Sequence, residues 1–392
     1  MSERVIRLYS NTSSFIAGGG RDAEIHTLHE VGARPGEPVK LVDDKTSEEV
    51  GLALADPENG KLRVLAVASD GFPKIDGALL GWRVERALAW RNQLGLTGTD
   101  RAYRLLHGAG DNVPGFTCDV LGRVAVVYVY AEGLRAVGTL LAEAVMGFAK
   151  LDGAVVKVRA RGGAADVQQT TIGKVEEHAV VKEHDIPYEV HPLGGLNVGL
   201  FTDMREHRRD LARVAAGKRV LNLFSYTGSL SLVCARAGAA TVTSVDTSAG
   251  VQAWAQGNFG RSNLDWRDKR WKFETGEASR FLARAIRDKE QYDLVLIDPP
   301  STSSASGIPW ALGRDYPELI AQAAAVIPTD GLLWLASNTH ELGSLSKLAH
   351  KGVRQANKSC TILSIGGLPP EYPTPAVQQH DRYLQVCLLR MS

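Results

Sequence analysis

The strongest constraint on the fold is a rhythm in the second half of the chain. From about residue 190, short apolar runs alternate with helical stretches. "RVLNLF", "TVTSVD", "WKFET", "YDLVLIDPP" and "GLLWLASN" are each followed by a helical segment. Strands buried on both faces read as continuous apolar runs, and their alternation with helices builds a mainly parallel, doubly wound sheet. The closing runs "CTILSI" and "RYLQVCLL" have no helix between them, so one of the two is expected to be antiparallel. Ligands of such sheets lie beyond the carboxyl ends of the strands. The residues directly after each run are therefore the candidate site.

The residues before this rhythm read differently. The first 75 or so hold short apolar runs separated by "DDKTSEE" and "DPENG", which are turn signals of a small β barrel or sandwich. "GALLGWRVERALAWRNQLGL" at 77–96 has helical period. Leu80, Val84, Leu88 and Arg91 fall on one side, and Trp82, Arg86 and Trp90 on another. Either the Arg and Trp residues touch RNA, or the helix packs its apolar side on a sheet with its arginines outside. "LLH", "FTCDVL" and "VAVVYVY" then predict a hairpin and a third strand. A helix at about 134–149 and a strand "AVVKVRAR" complete an α+β module. The boundaries expected are 1–75, 76–190 and 191–392.

The site residues follow from the strand ends. "NLFSYTGSLS" at 222–231 follows the first run of the parallel sheet, and Gly228 allows a tight turn close to a ligand. Neither GxGxxG nor GxxxxGK[ST] is present, so the loop suits a ligand without phosphates. The second run ends in Asp246, about twenty residues on, placed to accept both hydroxyls of a ribose or to cap the next helix. Glu277 follows the third run, facing an adenine edge or solvent. The fourth run drives into Asp298, Pro299 and Pro300. A carboxylate there is costly unless it has a task or a partner. The two prolines fix the backbone and leave a carbonyl shelf for a planar, amine-bearing ring.

Other classes are excluded by simpler counts. Lys+Arg is 45 against 44 Asp+Glu, so net charge cannot be cited for a nucleic-acid partner, although a local patch would suffice. No apolar run approaches the ~18 residues of a membrane span, and "MSERVIRLYS" lacks the apolar core of a signal peptide. Cys118, Cys234, Cys360 and Cys387 form no CxxC, so no metal site is expected. Reduced structural thiols in a cytoplasmic protein are the expectation.

Taken together, "NLFSYTG", "SVD" and "LIDPPS" resemble the class I S-adenosylmethionine-dependent methyltransferases. More narrowly, "GLFTDMREHRRDL" and "GDNVPGFTCDVLGR" resemble the 23S ribosomal RNA base methyltransferases. That resemblance implies a small N-terminal β-rich PUA-like RNA-binding domain and a central α+β domain. It also implies a C-terminal Rossmann-like α/β methyltransferase sheet. Asn222 and the loop Phe224, Ser225, Tyr226, Thr227 and Gly228 would cradle the methionine part of the cofactor. Asp246 would hold the ribose, Glu277 the adenine end, and Asp298 to Pro300 the transfer site. Asp203 and Arg205 match a family motif and would brace the cofactor loop or face the substrate. Arg208 and Arg209 would contact phosphate or form a solvated helix face. Ser301 and Ser337 would lie beside the substrate. A homodimer is compatible with this reading.

The target base is read from one position. Methylation of cytosine C5 needs a thiolate that adds to the ring. Family members with that chemistry carry it in a Ser-Cys-Ser context after the fifth strand. Here that stretch is "LLWLASNTHEL", with Ser337 and Asn338 where Ser-Cys would stand. The pair resembles the guanine-N7 branch. Guanine N7 has a free lone pair and no proton to lose, so alignment alone can carry catalysis. Asn338 would read a base edge or cap the helix of "HELGSLSKLA". Asp298 would accept from guanine N1 or its amino group. Tyr226, Trp310, Tyr316 or Tyr372 would stack on an unstacked base, and 301–318 would form a lid. Cytosine C5 with a displaced cysteine, an RNA-binding protein without catalysis, and a small-molecule methyltransferase are the alternatives.

Overall fold

The computed structural model describes residues 4–25, 32–159, 168–300, 302–303, 310–339 and 343–392. The chain divides into two compact units. One comprises Met1–Lys182, Val190–Val198 and Pro370–Asp381; the other holds Glu183–Glu189, Gly199–Pro369 and Arg382–Ser392.

The first unit contains two five-stranded sheets. In the first, the spatial order is Arg4–Leu8, Pro38–Asp43, Glu49–Asp56, Lys61–Val67, Asp22–Glu24. Side chains alternate between two cores, as the strand period demands. Ala53 and Ala55 face Ile16 of a helix, Ser10–Ala17, that the sequence reading did not include. Leu52 and Leu54 face the other way and share a core with Leu79, Leu80 and Val84 of the helix Gly77–Gln93. The second sheet runs Gln168–Gly173, Gly153–Val158, Val124–Val129, Phe116–Leu121, Ala102–His107.

Helix Gly77–Gln93 starts where the Asp76 carboxylate accepts the N–H groups of Ala78 and Leu79. Two of its arginines correct the expectation that they lie outside, while Arg86 is exposed. Arg83 and Arg91 are buried. Arg91 grips both Asp111 oxygens at 2.6 and 2.8 Å and donates to the Glu371 carbonyl at 2.6 Å. A buried guanidinium persists only with such a partner set. Tyr372 is also buried in this unit. It packs edge-on against His107 at 4.9 Å and under the Arg104 guanidinium at 4.8 Å. That removes it from the residues free to stack on a base.

The second unit is built on one seven-stranded sheet. Its strands are β1 (Arg219–Leu223), β2 (Thr241–Asp246), β3 (Trp271–Thr275), β4 (Leu294–Ile297), β5 (Leu332–Ser337), β6 (Cys360–Gly366) and β7 (Gln385–Met391). The helices are α1 (Arg205–Val214), α2 (Ser229–Arg236), α3 (Ala249–Arg261), α4 (Ala278–Arg287), α5 (Leu312–Ala325) and α6 (Leu345–Gln355). The spatial order is β3-β2-β1-β4-β5-β7-β6. Strands β1 to β5 pair in parallel, and β7 is antiparallel to both β5 and β6. The expected doubly wound sheet with an antiparallel strand is therefore present. Among the described residues, no helix is long and apolar enough to cross a membrane.

Candidate active site

The strand register brings five chain segments to one edge. Leu223 pairs with Val245 and with Ile297, Asp246 with Thr275, and Ile297 with Leu335. The loop after β1, Asp246, Glu277, Asp298 and Asn338 thus leave the sheet at about the same level. That edge is the carboxyl edge, where α/β sheets bind ligands.

The loop after β1 is held in a costly shape. Phe224, Tyr226 and Gly228 have φ of +59°, +48° and +77°. Two non-glycine residues in the left-handed region cost about 1–3 kcal/mol each unless the surroundings fix them. Here they do. The Ser225 N–H donates to the Val245 carbonyl at 3.0 Å, and the Tyr226 N–H to Asp246 Oδ2 at 2.9 Å. Thr227 is fully buried, donates its hydroxyl to the Gly199 carbonyl at 2.6 Å, and accepts at its carbonyl from Asn258 Nδ2. A Cβ on Gly228 would stand 2.8 Å from the Ala255 Cβ, so α3 approaches too closely for any side chain.

Beneath the loop lies a buried polar network. Asn222 donates to Ser231 Oγ at 2.9 Å, and Ser244 donates to the same oxygen at 2.7 Å. Gln252 donates to the carbonyls of Ser244 and Glu274 at 3.2 and 3.0 Å, joining β2 and β3. Asn222 and Thr227 were expected in the cofactor cradle. Both side chains instead brace the cradle from inside.

The acids sit at the exposed side of this frame. Asp246 accepts from the Tyr226 N–H through Oδ2 and from the Ser248 N–H through Oδ1. Ser248 caps α3 through its hydroxyl, so Asp246 is not the cap. Glu277 is half-buried where α4 begins and pairs with Arg280 at 3.1 Å. Asp298 is half-buried, Pro299 is buried and Pro300 is exposed. Burial pushes the Asp298 carboxyl up to about 7; the negative charge of Asp203 adds to the push and Arg208 opposes it.

Asp203 stands in a single turn, Thr202–Met204, ahead of α1, and accepts from the Tyr383 hydroxyl at 2.8 Å. Arg205 is buried beside it in sequence. Arg208 is 1% exposed, donates to both Glu183 oxygens at 2.6 Å, and reaches the Phe201 carbonyl at 2.8 Å. This corrects its reading as a phosphate contact: the guanidinium is enclosed and satisfied. Arg209 is exposed and paired with Glu206.

Ser337 is fully buried at the end of β5, and Asn338 is exposed just beyond it. Asn338 does not cap the following helix, because Ser344 does, accepting from the Lys347 N–H. Tyr316 is fully buried under the sheet and cannot stack on a base. Ser301, the Trp310 side chain and most of the expected lid before α5 lie outside the described residues. Tyr226, expected as a stacking residue, has two aromatic neighbours that the sequence reading does not include. Phe201, 43% exposed, lies 5.3 Å from Tyr226, and Tyr226 lies 6.4 Å from Trp254. Their one legible signal was the aromatic character of "LFTDM" and "SYTG" in adjacent motifs.

Among the described residues no exposed thiol stands at this edge: Cys387, opposite Leu335 at the level of the last β4–β5 rung, is enclosed in the core. Cys118, Cys234 and Cys387 are buried, and burial pushes Cys234 up to about 12 and Cys387 up to about 11. Cys360 pairs with Met391 and opens β6, which runs parallel to β5, so it lies at the amino edge.

An open parallel sheet with a glycine turn after β1, an acid after β2 and another after β4 defines an enzyme scaffold that binds a nucleoside-bearing cofactor. Residues 104–381 match the S-adenosylmethionine-dependent methyltransferase family. A ribosomal RNA large subunit methyltransferase of Deinococcus radiodurans is 31% identical over 320 residues, 78% of this chain and 77% of that one. Ribosomal RNA large subunit methyltransferase I of Klebsiella pneumoniae is 27% identical over 306 residues, 77% and 76% of the two chains. A methyltransferase crystallised with SAH superposes with a TM-score of 0.85 at 22% identity, covering 99% of this chain and 100% of its own. The chain belongs to the S-adenosylmethionine-dependent methyltransferase family, and S-adenosylmethionine is its cofactor. The donor set fits that cofactor. After its two backbone N–H bonds Asp246 still has lone pairs for two ribose hydroxyls, and no phosphate-binding loop is present.

Proposed function

We propose that this chain methylates a base in large-subunit ribosomal RNA, with N7 of guanine as the acceptor. Two of its relatives carry large-subunit ribosomal RNA methyltransferase names, and these support the RNA class. The observation that carries the choice of atom is that no exposed thiol stands at the carboxyl edge among the described residues: exposed Asn338 and half-buried Asp298 stand there, and Cys387 of β7 is buried. The five-stranded sheet at residues 4–67 is read as a PUA-like RNA-binding module.

Bound S-adenosylmethionine supplies an electrophilic methyl group on a sulfonium. Asp246 would hold the ribose hydroxyls, and Glu277, at the head of α4, would serve the adenine end. The Phe224–Gly228 backbone, fixed by Asp246 and Asn258, shapes the wall behind the methionine part. Asp298, when ionised, accepts from guanine N1–H or the amino group and so turns N7 toward the methyl. Asn338 offers both a donor and an acceptor to the base edge. No proton leaves N7, so the residues work by alignment, which is worth ~7–11 kcal/mol in well-ordered sites. The Phe201–Tyr226–Trp254 row is a stacking surface for an unstacked base.

Incubation with methyl-labelled cofactor and unmodified ribosomal RNA, followed by digestion to nucleosides and mass spectrometry, tests the reading. Label in 7-methylguanosine supports it. Label in 5-methylcytidine points to a thiol mechanism, and binding without label to an RNA-binding role.

A further inference from the structure

The mechanism leaves one buried group at this edge unexplained. Tyr316, in the first turns of α5, is fully buried, yet its hydroxyl ends among strand termini rather than in apolar core. It donates to the Ala336 carbonyl at 2.8 Å and lies 3.2 Å from the Ile297 carbonyl. Ile297 is the last residue of β4, directly before Asp298. Ala336 is on β5, two residues before Asn338.

These carbonyls sit where the ladder stops. The last β4–β5 pair is Ile297 with Leu335. Beyond it β4 continues as Asp298-Pro299-Pro300, and proline brings no N–H. A backbone rung therefore cannot join the two strands at the level of Pro299. A buried carbonyl without a donor is costly. The phenol supplies that donor from the opposite face, with one proton shared between two acceptors. The aromatic ring meanwhile belongs to the buried cluster that also holds Ile297, Leu319, Ile320 and Leu335.

We propose that Tyr316 is a positioning residue for methyl transfer: its hydroxyl pins the carboxyl ends of β4 and β5 together and so fixes the gap between Asp298 and Asn338. The proposal rests on the methylation reading, because that gap matters only if a base enters it. Alignment is steep. A displacement of about 1 Å at the reacting atoms costs on the order of 100-fold in rate. The pin touches β4 and β5 only, whereas the residues assigned to ribose and adenine follow β2 and β3. The two halves of the site should therefore separate in a variant that loses the hydroxyl and keeps the ring.

Tyr316→Phe is that variant. SAH affinity, measured by calorimetry, should stay within about twofold of wild type, because Asp246 and Glu277 are untouched. Single-turnover methyl transfer to ribosomal RNA should fall about 10- to 100-fold. Amide exchange should quicken in the segments 294–300 and 332–339 and stay unchanged in 241–248. A core residue with no positioning role would lower the melting temperature and leave the rate on folded protein alone. Wild-type transfer rate in Tyr316→Phe, or unchanged exchange at 332–339, overturns the proposal. If wild-type protein binds SAH but labels no RNA, the methylation reading fails on its own, and the exchange comparison still decides whether the hydroxyl holds the strand ends.

Discussion

The backbone N–H of Tyr226 donates to the carboxylate of Asp246 across 2.9 Å. One acid therefore holds a left-handed residue of the β1 loop in place and, in the reading proposed above, would also offer its remaining lone pairs to the cofactor. Removing the charge should loosen both. Asp246→Ala is expected to weaken SAH binding by about 10- to 100-fold, the worth of one or two hydrogen bonds to a charged group. Asp246→Asn, which keeps an acceptor for the Tyr226 N–H, should lose less. Calorimetry on both variants checks the order.

Gly228 carries a steric prediction. Its φ of +77° and the 2.8 Å approach of Ala255 leave no room for a methyl group. Gly228→Ala should destabilise the fold by about 1–3 kcal/mol and weaken SAH binding. Thermal melts with and without SAH would separate the two effects, and an unchanged melting temperature would mean that α3 can retreat.

Asp298 predicts a pH dependence with opposite signs for activity and stability. Its carboxyl is raised to about 7 by burial and by Asp203. Accepting from guanine requires the ionised form, so the single-turnover rate should rise with pH through about 7. A raised carboxyl favours the protonated folded state. Its stabilising effect relative to the unfolded chain, where the group titrates near ~4, is lost progressively as pH climbs from about 4 to 7. Asp298→Asn should flatten both curves. It should abolish the pH-dependent part of the rate while making the fold less sensitive to pH in that window.

Arg208 and Glu183 form an enclosed pair, each about 1% exposed. Cutting either side leaves a buried charge, at a cost of about 3–5 kcal/mol. Arg208→Ala should lower the melting temperature sharply. If Arg208 contacted phosphate instead, the main effect would be a shallower salt dependence of RNA binding with little loss of stability.

Much of this site was legible in the sequence because it follows from strand ends. Asp246 and Asp298 close apolar runs, and a doubly wound sheet places such residues on one edge. What stayed hidden depended on partners distant in sequence. Arg91 falls on the side of Leu80 and Val84 by helical period, but nothing local names Asp111 and the Glu371 carbonyl, the partners that let its guanidinium be buried there. Arg208 reads as a basic helix face until Glu183 encloses it. Tyr316 reads as a stacking aromatic, since nothing local reveals that two strand carbonyls await its hydroxyl. Asn222 and Thr227 lie in the right motif but turn inward, a distinction set by their partners, Ser231 of α2 and the Gly199 carbonyl, rather than by residue type.

The identity of the labelled nucleoside tests the central claim most directly. Protein carrying Cys118→Ala, Cys234→Ala, Cys360→Ala and Cys387→Ala together, beside wild type, should be incubated with methyl-labelled S-adenosylmethionine and unmodified ribosomal RNA. The account predicts 7-methylguanosine from both proteins, with similar single-turnover rates once each is shown to be folded. Label in 5-methylcytidine from the wild type, lost in the cysteine-free chain, would contradict it.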